Sequence, residues 1–306
     1  MLCVSNLSVD FARYGQALGT PAAIRSLDLT VDAGQILAVV GESGSGKSLL
    51  AHAILGLLPS NSRVGGSITF KGQVLDQENV QALRGREIAL IPQSVAYLNP
   101  LKRVGSQVLR AATLSGLEPT QAAKVRDTAF ERYGLGFETQ RLYPHQISGG
   151  MSRRVLTATA TTGNASLVVA DEPTTGLDQK TALESLRHLR ELANNGAAVL
   201  LITHDIEACL DVADRVAVFL GGMVVEIAKA ADFSDTSSLR HPYTRTLWQA
   251  LPHNDFMDAP AKSYKATTAN QGCVHAGDCP QADALCGETI PAWREMNGGL
   301  VRCHHA

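Results

Sequence analysis

Gly41-Glu42-Ser43-Gly44-Ser45-Gly46-Lys47-Ser48 decides how this chain is read. It fits the pattern G-x-x-x-x-G-K-[ST], and its neighbours supply the context that the pattern needs. The continuous apolar run at residues 35–40 reads as a buried strand, and residues 49–58, stopped by Pro59, read as a helix. Glycines let the loop curl so that successive N–H groups face phosphate oxygens, while the helix N-terminus adds its positive end. Lys47 would contact the β- and γ-phosphates of a nucleotide, and Ser48 would place its hydroxyl on Mg²⁺. The expected nucleotide-contacting set is Gly41, Ser43, Gly44, Ser45, Gly46, Lys47, Ser48 and Leu49.

A second apolar strand, residues 167–170, delivers Asp171 and Glu172 at its C-terminal end, where α/β sheets place their ligands. The two carboxylates need different work. Asp171 would hold Mg²⁺, and Glu172 would accept the proton of an attacking water. Alone, such a pair is weak, since strand ends commonly carry solvated acids. After a phosphate loop, and followed by Pro173-Thr174-Thr175-Gly176-Leu177-Asp178, it is strong. His204, at the end of the strand predicted at residues 198–203, would reach a γ-phosphate from the same sheet edge.

Around these motifs the organisation is α/β. Alternating residues at 2–11 and 24–31 read as antiparallel strands with one buried face, and residues 65–75 as a further hairpin strand. From about residue 94 to 163 the pattern is mostly helical, a subdomain inserted in the α/β core. Strand and helix then alternate to residue 220, as expected of a mostly parallel sheet covered on both faces. Beyond a seam at 230–240 the composition shifts to His, Pro, Cys and small polar residues. The expected division is therefore a nucleotide-binding domain at 1–235 and a C-terminal domain at 236–306.

Composition narrows the class further. The 306 residues are 45% hydrophobic, 18% charged and 5% aromatic, with a formal net charge of −2, which excludes a disordered or fibrous chain and gives no general pull towards nucleic acid. Apolar runs are too short for a bilayer, which takes about 20 residues. No secretion signal opens the chain, so the expected compartment is the cytoplasm.

The phosphate loop, Gln93, Ile147-Ser148-Gly149-Gly150-Met151, Asp171-Glu172, Asp178 and His204 occur in the order and spacing of an ABC-type ATPase, which residues 1–230 resemble. The resemblance implies a RecA-like core with an antiparallel β subdomain and an inserted helical subdomain. It implies that Gln93 senses Mg²⁺ and the transmembrane partner, that Ser148-Gly149-Gly150 closes over the other subunit's γ-phosphate, and that Asp178 organises the dimer contact. Phe11, or else Tyr14, corresponds to the aromatic that stacks on adenine; the plain alternative is that Phe11 packs the first hairpin. One phosphate loop and one signature on different lobes cannot surround a nucleotide, so two such chains are expected to meet head to tail with ATP between them.

Leu98-Asn99-Pro100, Met151 after the paired glycines, the sequence of residues 171–178, and His241-Pro242-Tyr243-Thr244 with Leu247 and Leu251-Pro252 are similar to the ATP-binding subunits of oligopeptide, dipeptide and nickel importers. In that family the signature usually continues Arg-Gln-Arg; here it runs Ser152-Arg153-Arg154. The resemblance implies an ATP-hydrolysing, energy-coupling subunit for import of peptides, nickel or a metal chelate. It also implies two transmembrane permease subunits, a second ATPase subunit that is commonly a paralogue, and an extracytoplasmic binding protein that acts indirectly. The place would be peripheral, on the cytoplasmic face of the bacterial inner membrane. The rival is a soluble ABC ATPase without a transporter, but such proteins typically carry two cassettes or a long coiled-coil insertion.

Cys273, Cys279, Cys286 and Cys303 crowd the C-terminal segment, while Cys3 and Cys209 stand apart. There is no C-x-x-C ribbon, so zinc is a poorer fit than an iron–sulfur cluster held from loops. The spacing resembles the cysteine-rich tail of the same importer family, where some members carry a [4Fe-4S] cluster; Asp278 stands where an arginine is common there. Zinc and four free thiols stay open as alternatives, with His275, His304 and His305 as competing ligands.

Overall fold

Five consecutive buried residues in Ile36–Val40 and again in Leu167–Asp171 show why these runs lack alternation: both faces of the sheet are covered there. The computed structural model describes residues 1–12, 22–42, 44–251, 254 and 272–306. In chain order the elements are β1 (Leu2–Phe11), β2 (Ile24–Val31), β3 (Ile36–Val40), α1 (Lys47–Ile54), β4 (Ser62–Phe70), β5 (Gln73–Val74), α2 (Gln77–Leu83) and β6 (Ile88–Ile91). The helices α3 (Val104–Leu114), α4 (Pro119–Arg132) and α5 (Gly149–Thr161) follow, then β7 (Leu167–Asp171), α6 (Gln179–Asn194), β8 (Ala198–Thr203) and α7 (Ile206–Leu210). The last are β9 (Arg215–Leu220), β10 (Met223–Lys229), α8 (Pro242–Gln249), α9 (Ala284–Glu288), β11 (Arg294–Met296) and β12 (Gly299–Val301).

These elements group into two compact units. The first comprises Met1–Leu2, Val31–Ile36 and Leu75–Thr203. Its strands β6, β7 and β8 run parallel, with Ile91 opposite Ala170 and Asp171 opposite Ile202. The helices expected between residues 94 and 163 are α3, α4 and α5, packed on one another through Val104, Val108, Phe130, Tyr133, Val155 and Leu156. Gly105 is required on α3 because a Cβ there would stand 2.7 Å from Cβ of Gln140.

The second unit comprises Cys3–Thr30, Leu37–Val74 and His204–Ala306. One sheet has the order β2-β1-β4-β5. In β1 Leu2 and Val4, and then Leu7 and Val9, are buried, the alternation shifting by one residue at Asn6, whose φ is 48°. In the other sheet β9 lies parallel to β3, β10 antiparallel to β9, and the C-terminal hairpin extends the row through β12, with Val301 opposite Glu226. The cysteine-rich tail thus contributes two strands to a sheet whose remaining members lie far earlier in the chain.

Candidate nucleotide site

The phosphate loop lies in the second unit. Gly46 is the N-cap of α1 in the left-handed region, φ 103°, and a Cβ there would meet the Ala23 carbonyl at 2.9 Å. Gly41 is tighter still, since its Cβ would lie 2.3 Å from the Phe219 carbonyl on β9. Glycine at these two positions is thus imposed by backbone packing. Lys47 is only 6% exposed, and its ammonium donates to the carbonyls of Gly41 at 2.8 Å and Glu42 at 2.7 Å. Ser45 Oγ lies 3.4 Å away. A buried cation resting on loop carbonyls is the arrangement that a phosphate oxygen would draw on. Gly44 lies in the turn ahead of α1, Ser48 and Leu49 lie in its first turn, and Leu49 N–H closes on the Gly46 carbonyl at 3.0 Å. Ser43 and Tyr14 lie outside the described residues, as does Pro252. Phe11 is half-buried at the end of β1, and His204 is exposed between β8 and α7, where Asp205 caps the helix.

The carboxylates lie in the first unit. Asp171 ends β7, 3% exposed. Glu172 is buried next to it with φ 51°, a left-handed conformation that a non-glycine residue adopts at a cost of about 1–3 kcal/mol. Its surroundings hold it there. Glu172 N–H donates to the Ile202 carbonyl at 2.8 Å, continuing the β7–β8 ladder by one residue. Thr175 donates its hydroxyl to Glu172 Oε2 at 3.2 Å, and Thr175 N–H reaches the Glu172 carbonyl at 3.3 Å. Arg153 on α5 donates to the same carbonyl at 3.4 Å. Neither Thr175 nor Arg153 was marked by sequence as a support for the carboxylate; the departure Ser152-Arg153-Arg154 was the available signal.

Gln93 is exposed at the bend after β6, next to Ser94, whose hydroxyl caps a short 3₁₀ turn. Ser148 is the N-cap of α5, its Oγ accepting from Met151 N–H at 3.2 Å, while Ile147 and Met151 pack on the helical core. Gly149 and Gly150 have open space where a Cβ would stand. This chain's own packing therefore does not demand glycine there. Asp178 is the exposed N-cap of α6, and hydrogen bonds from the Thr181 hydroxyl and N–H hold its carboxyl below the usual range.

Behind these helices Tyr133, at the end of α4, joins Thr161 on α5 at 3.0 Å and also bonds His188 on α6. Burial, then the Arg132 charge, lowers the His188 pKa to about 4, so the imidazole is neutral at ordinary pH.

In the tail, Cys286 and Cys303 are buried, Cys273 and Cys279 half-buried, and none of the four is in a disulfide. Cys273 N–H donates to the Cys286 carbonyl at 2.7 Å. Burial raises the thiols of Cys273 and Cys286; Cys273 further feels Cys286, Cys303 and Cys279, so the four sulfurs share one neighbourhood. Among the described residues the group whose ligand atoms all approach within 4.8 Å of one another is Asp283, Cys286 and His305, with Asp283 accepting from His305 at 3.3 Å and from Cys286 N–H at 3.0 Å.

A glycine loop ahead of α1 and, separately, paired carboxylates at the end of β7 are features of a P-loop nucleotide-binding protein. In fold the chain is similar to the dimeric post-hydrolysis structure of an ATP-binding cassette bound to ADP and Pi, with a TM-score of 0.67, 24% identity, and coverage of 75% of this chain and 99% of that one. Residues 24–175 match the ABC transporter family, and residues 225–286 match the oligopeptide/dipeptide transporter C-terminal region. The oligopeptide transport ATP-binding protein OppD of Salmonella typhimurium is 34% identical over 99% of this chain and 93% of its own length. The dipeptide transport ATP-binding protein DppD of Bacillus subtilis is 34% identical over 95% of this chain and 90% of its own. A putative peptide import ATP-binding protein of Brucella melitensis is 35% identical over 99% and 94%.

The chain belongs to the ATP-binding subunits of the oligopeptide/dipeptide ABC transporters. It is the ATPase subunit of such a transporter, and none of its described helices is long and apolar enough to cross a membrane.

Proposed function

We propose that this ATPase drives the import of peptides. The relatives are named for oligopeptide, dipeptide and peptide import, which favours peptide over the nickel or metal chelate also expected from sequence. The observation that carries the catalytic reading is Glu172, held in a left-handed backbone at the end of β7 by Ile202, Thr175 and Arg153. Strain maintained by three partners at a buried carboxylate is the mark of a positioned base.

Gly41, Ser43, Gly44, Ser45, Gly46 and Leu49 form the phosphate cradle and its helix start, Lys47 leaves the Gly41 and Glu42 carbonyls to neutralise the β- and γ-phosphates, and Phe11 stacks on adenine. Ser48, Gln93 and Asp171 each offer a hard oxygen of the kind that would hold Mg²⁺, and the bound ion would neutralise developing phosphate charge. Glu172 takes the proton of the attacking water, and His204 orients the γ-phosphate.

Ser148, Gly149 and Gly150 meet the nucleotide of a second ATPase subunit, and Asp178 orders that contact; the open space at both glycines supports an outside ligand. A paralogue as second subunit follows the family habit. The partners are two permease subunits, and the first unit offers a cavity of about 500 Å³ for docking, lined by Asn99, Lys102, Gln107, Arg110, Leu114 and Ala160. The subunit then sits peripherally on the cytoplasmic face of the inner membrane, with residues 1–235 as the nucleotide-binding domain and 236–306 as the C-terminal domain. A substrate-binding protein outside the membrane acts on it only indirectly.

Cys273, Cys279, Cys286 and Cys303 hold a [4Fe-4S] cluster in this proposal. Zinc needs sulfurs at about 2.3 Å from one centre. Four cysteines in one neighbourhood of a loop-rich tail, without a C-x-x-C pair, suit a cluster whose ligands come from separate loops. The cluster would pin the loop-rich tail. Iron and zinc analysis with an absorbance spectrum of anaerobically purified protein tests it: zinc without iron overturns it.

For the transport reading, recovery from membranes with two hydrophobic subunits and phosphate release stimulated by peptide-loaded binding protein are expected. Recovery with ribosomes or DNA, or stimulation by nickel and not by peptide, contradicts it.

A further inference from the structure

His241-Pro242-Tyr243-Thr244 has no part in the reaction as described, yet all four residues are buried. Their position is fixed from both ends. His241 N–H donates to Glu226 at 2.8 Å, and His241 Nδ1 accepts from Tyr243 N–H at 3.1 Å to cap α8. Tyr243 is thereby placed with its hydroxyl 3.5 Å from Glu42 Oε1, across 201 residues of sequence. Glu42 is the second residue of the phosphate loop, and its carbonyl is one of the two on which Lys47 rests. The other side of the contact leads to the tail. The Tyr243 ring meets His275 edge-on, with centroids 5.6 Å apart, and His275 also lies 5.8 Å from the His241 ring. His275 belongs to the loop that starts at Cys273.

One phenol therefore touches the phosphate loop through its hydroxyl and the cysteine-rich loop through its ring. Burial and the Glu42 charge push the phenol above its ordinary value, so it remains a donor. A carboxylate beside a triphosphate opposes binding, and the phenol 3.5 Å from Glu42 Oε1 offers that carboxylate a donor on the side of α8.

We propose that Tyr243 is a positioning residue for the phosphate loop, and that His275 makes its placement depend on the folded cysteine tail. The proposal rests on residues 41–48 being the ATP site.

Equilibrium binding of MgATP to the full-length protein tests it. Tyr243→Phe keeps the ring and removes the donor, and is expected to weaken MgATP binding about five-fold. In a Glu42→Gln background, where no charge remains to be held, the same change is expected to do nothing, because the two side chains act as one unit. His275→Ala is expected to weaken binding in the wild-type background but not on top of Tyr243→Phe. By reciprocity, MgATP slows amide hydrogen exchange in residues 273–279, read by mass spectrometry, and no longer does so in Tyr243→Phe. An unchanged affinity in Tyr243→Phe, or the same loss with Gln at position 42, overturns the proposal. Should Tyr243→Phe not fold, the cycle of His275→Ala with Glu42→Gln asks the same question with the same two outcomes. Lys47→Ala separates the levels: if it binds MgATP as the wild type does, the ATP site itself has been misplaced.

Discussion

Replacing Arg240 by Met tests how the tail is fastened within the second unit. Glu226 on β10 is fully buried, and its two oxygens accept from Arg240 N–H at 2.9 Å, His241 N–H at 2.8 Å and Arg240 Nη1 at 3.4 Å. The guanidinium continues outward to Asp232 at 2.9 Å and to the carbonyls of Met296 at 2.7 Å, which ends β11, and Asn297 at 2.9 Å in the turn to β12. Arg240→Met deletes every guanidinium bond but spares the two backbone donors. Breaking a buried pair from one side costs roughly 3–5 kcal/mol, and the surviving backbone donors place this case near the lower bound, about 3 kcal/mol. At that size the melting temperature falls by about 6–12 °C. Urea unfolding followed by tryptophan fluorescence suits the question, because Trp248 packs on Phe233 and Trp293 under Arg302 in the same unit. Adding Glu226→Gln removes the stranded charge, so the double variant is expected to recover a substantial part of the loss. A loss below about 1 kcal/mol in Arg240→Met, or a double variant no better than the single, refutes the reasoning.

Three further outcomes are expected. His188 is folded with a pKa of about 4 against 6.5 unfolded, so the native state binds fewer protons between those values; stability is intact above pH 6.5 and falls by up to about 3 kcal/mol as pH drops towards 4. His188→Gln should flatten that part of a stability-against-pH curve, and an unchanged slope would exclude His188 as its source. Gly46→Ala forces a left-handed alanine against the Ala23 carbonyl, so MgATP affinity should drop at least about ten-fold while urea stability changes by about 1–3 kcal/mol; normal binding would show that the loop tolerates a Cβ. Tyr133→Phe cuts the link among α4, α5 and α6 and should cost about 1–2 kcal/mol in chemical denaturation, with no loss of MgATP affinity.

Long-period features were legible in the sequence. The apolar runs of β3, β7 and β8 and the Ala- and Leu-rich stretch of α3 to α5 carry their own periodicity, and the loop, carboxylates and signature are local strings. What escaped depends on residues distant in sequence. β12 has three residues, too few to show a period of two, and its pairing with β10 is visible only once the chain has folded. The left-handed Glu172 was hidden because its conformation is imposed by Ile202, Thr175 and Arg153 against its own preference. Tyr243 read as part of a family motif, and nothing local pairs it with Glu42.

The central claim is that Glu172 is the base of an ATPase that powers a transporter, and Glu172→Gln in the complex assembled with its membrane and second ATPase subunits tests it most directly. The neutral amide keeps the shape and the Thr175 bond but cannot take a proton. Phosphate release is expected to vanish while MgATP is retained and the two ATPase subunits stay closed on it. Turnover at a wild-type rate in Glu172→Gln would contradict the account.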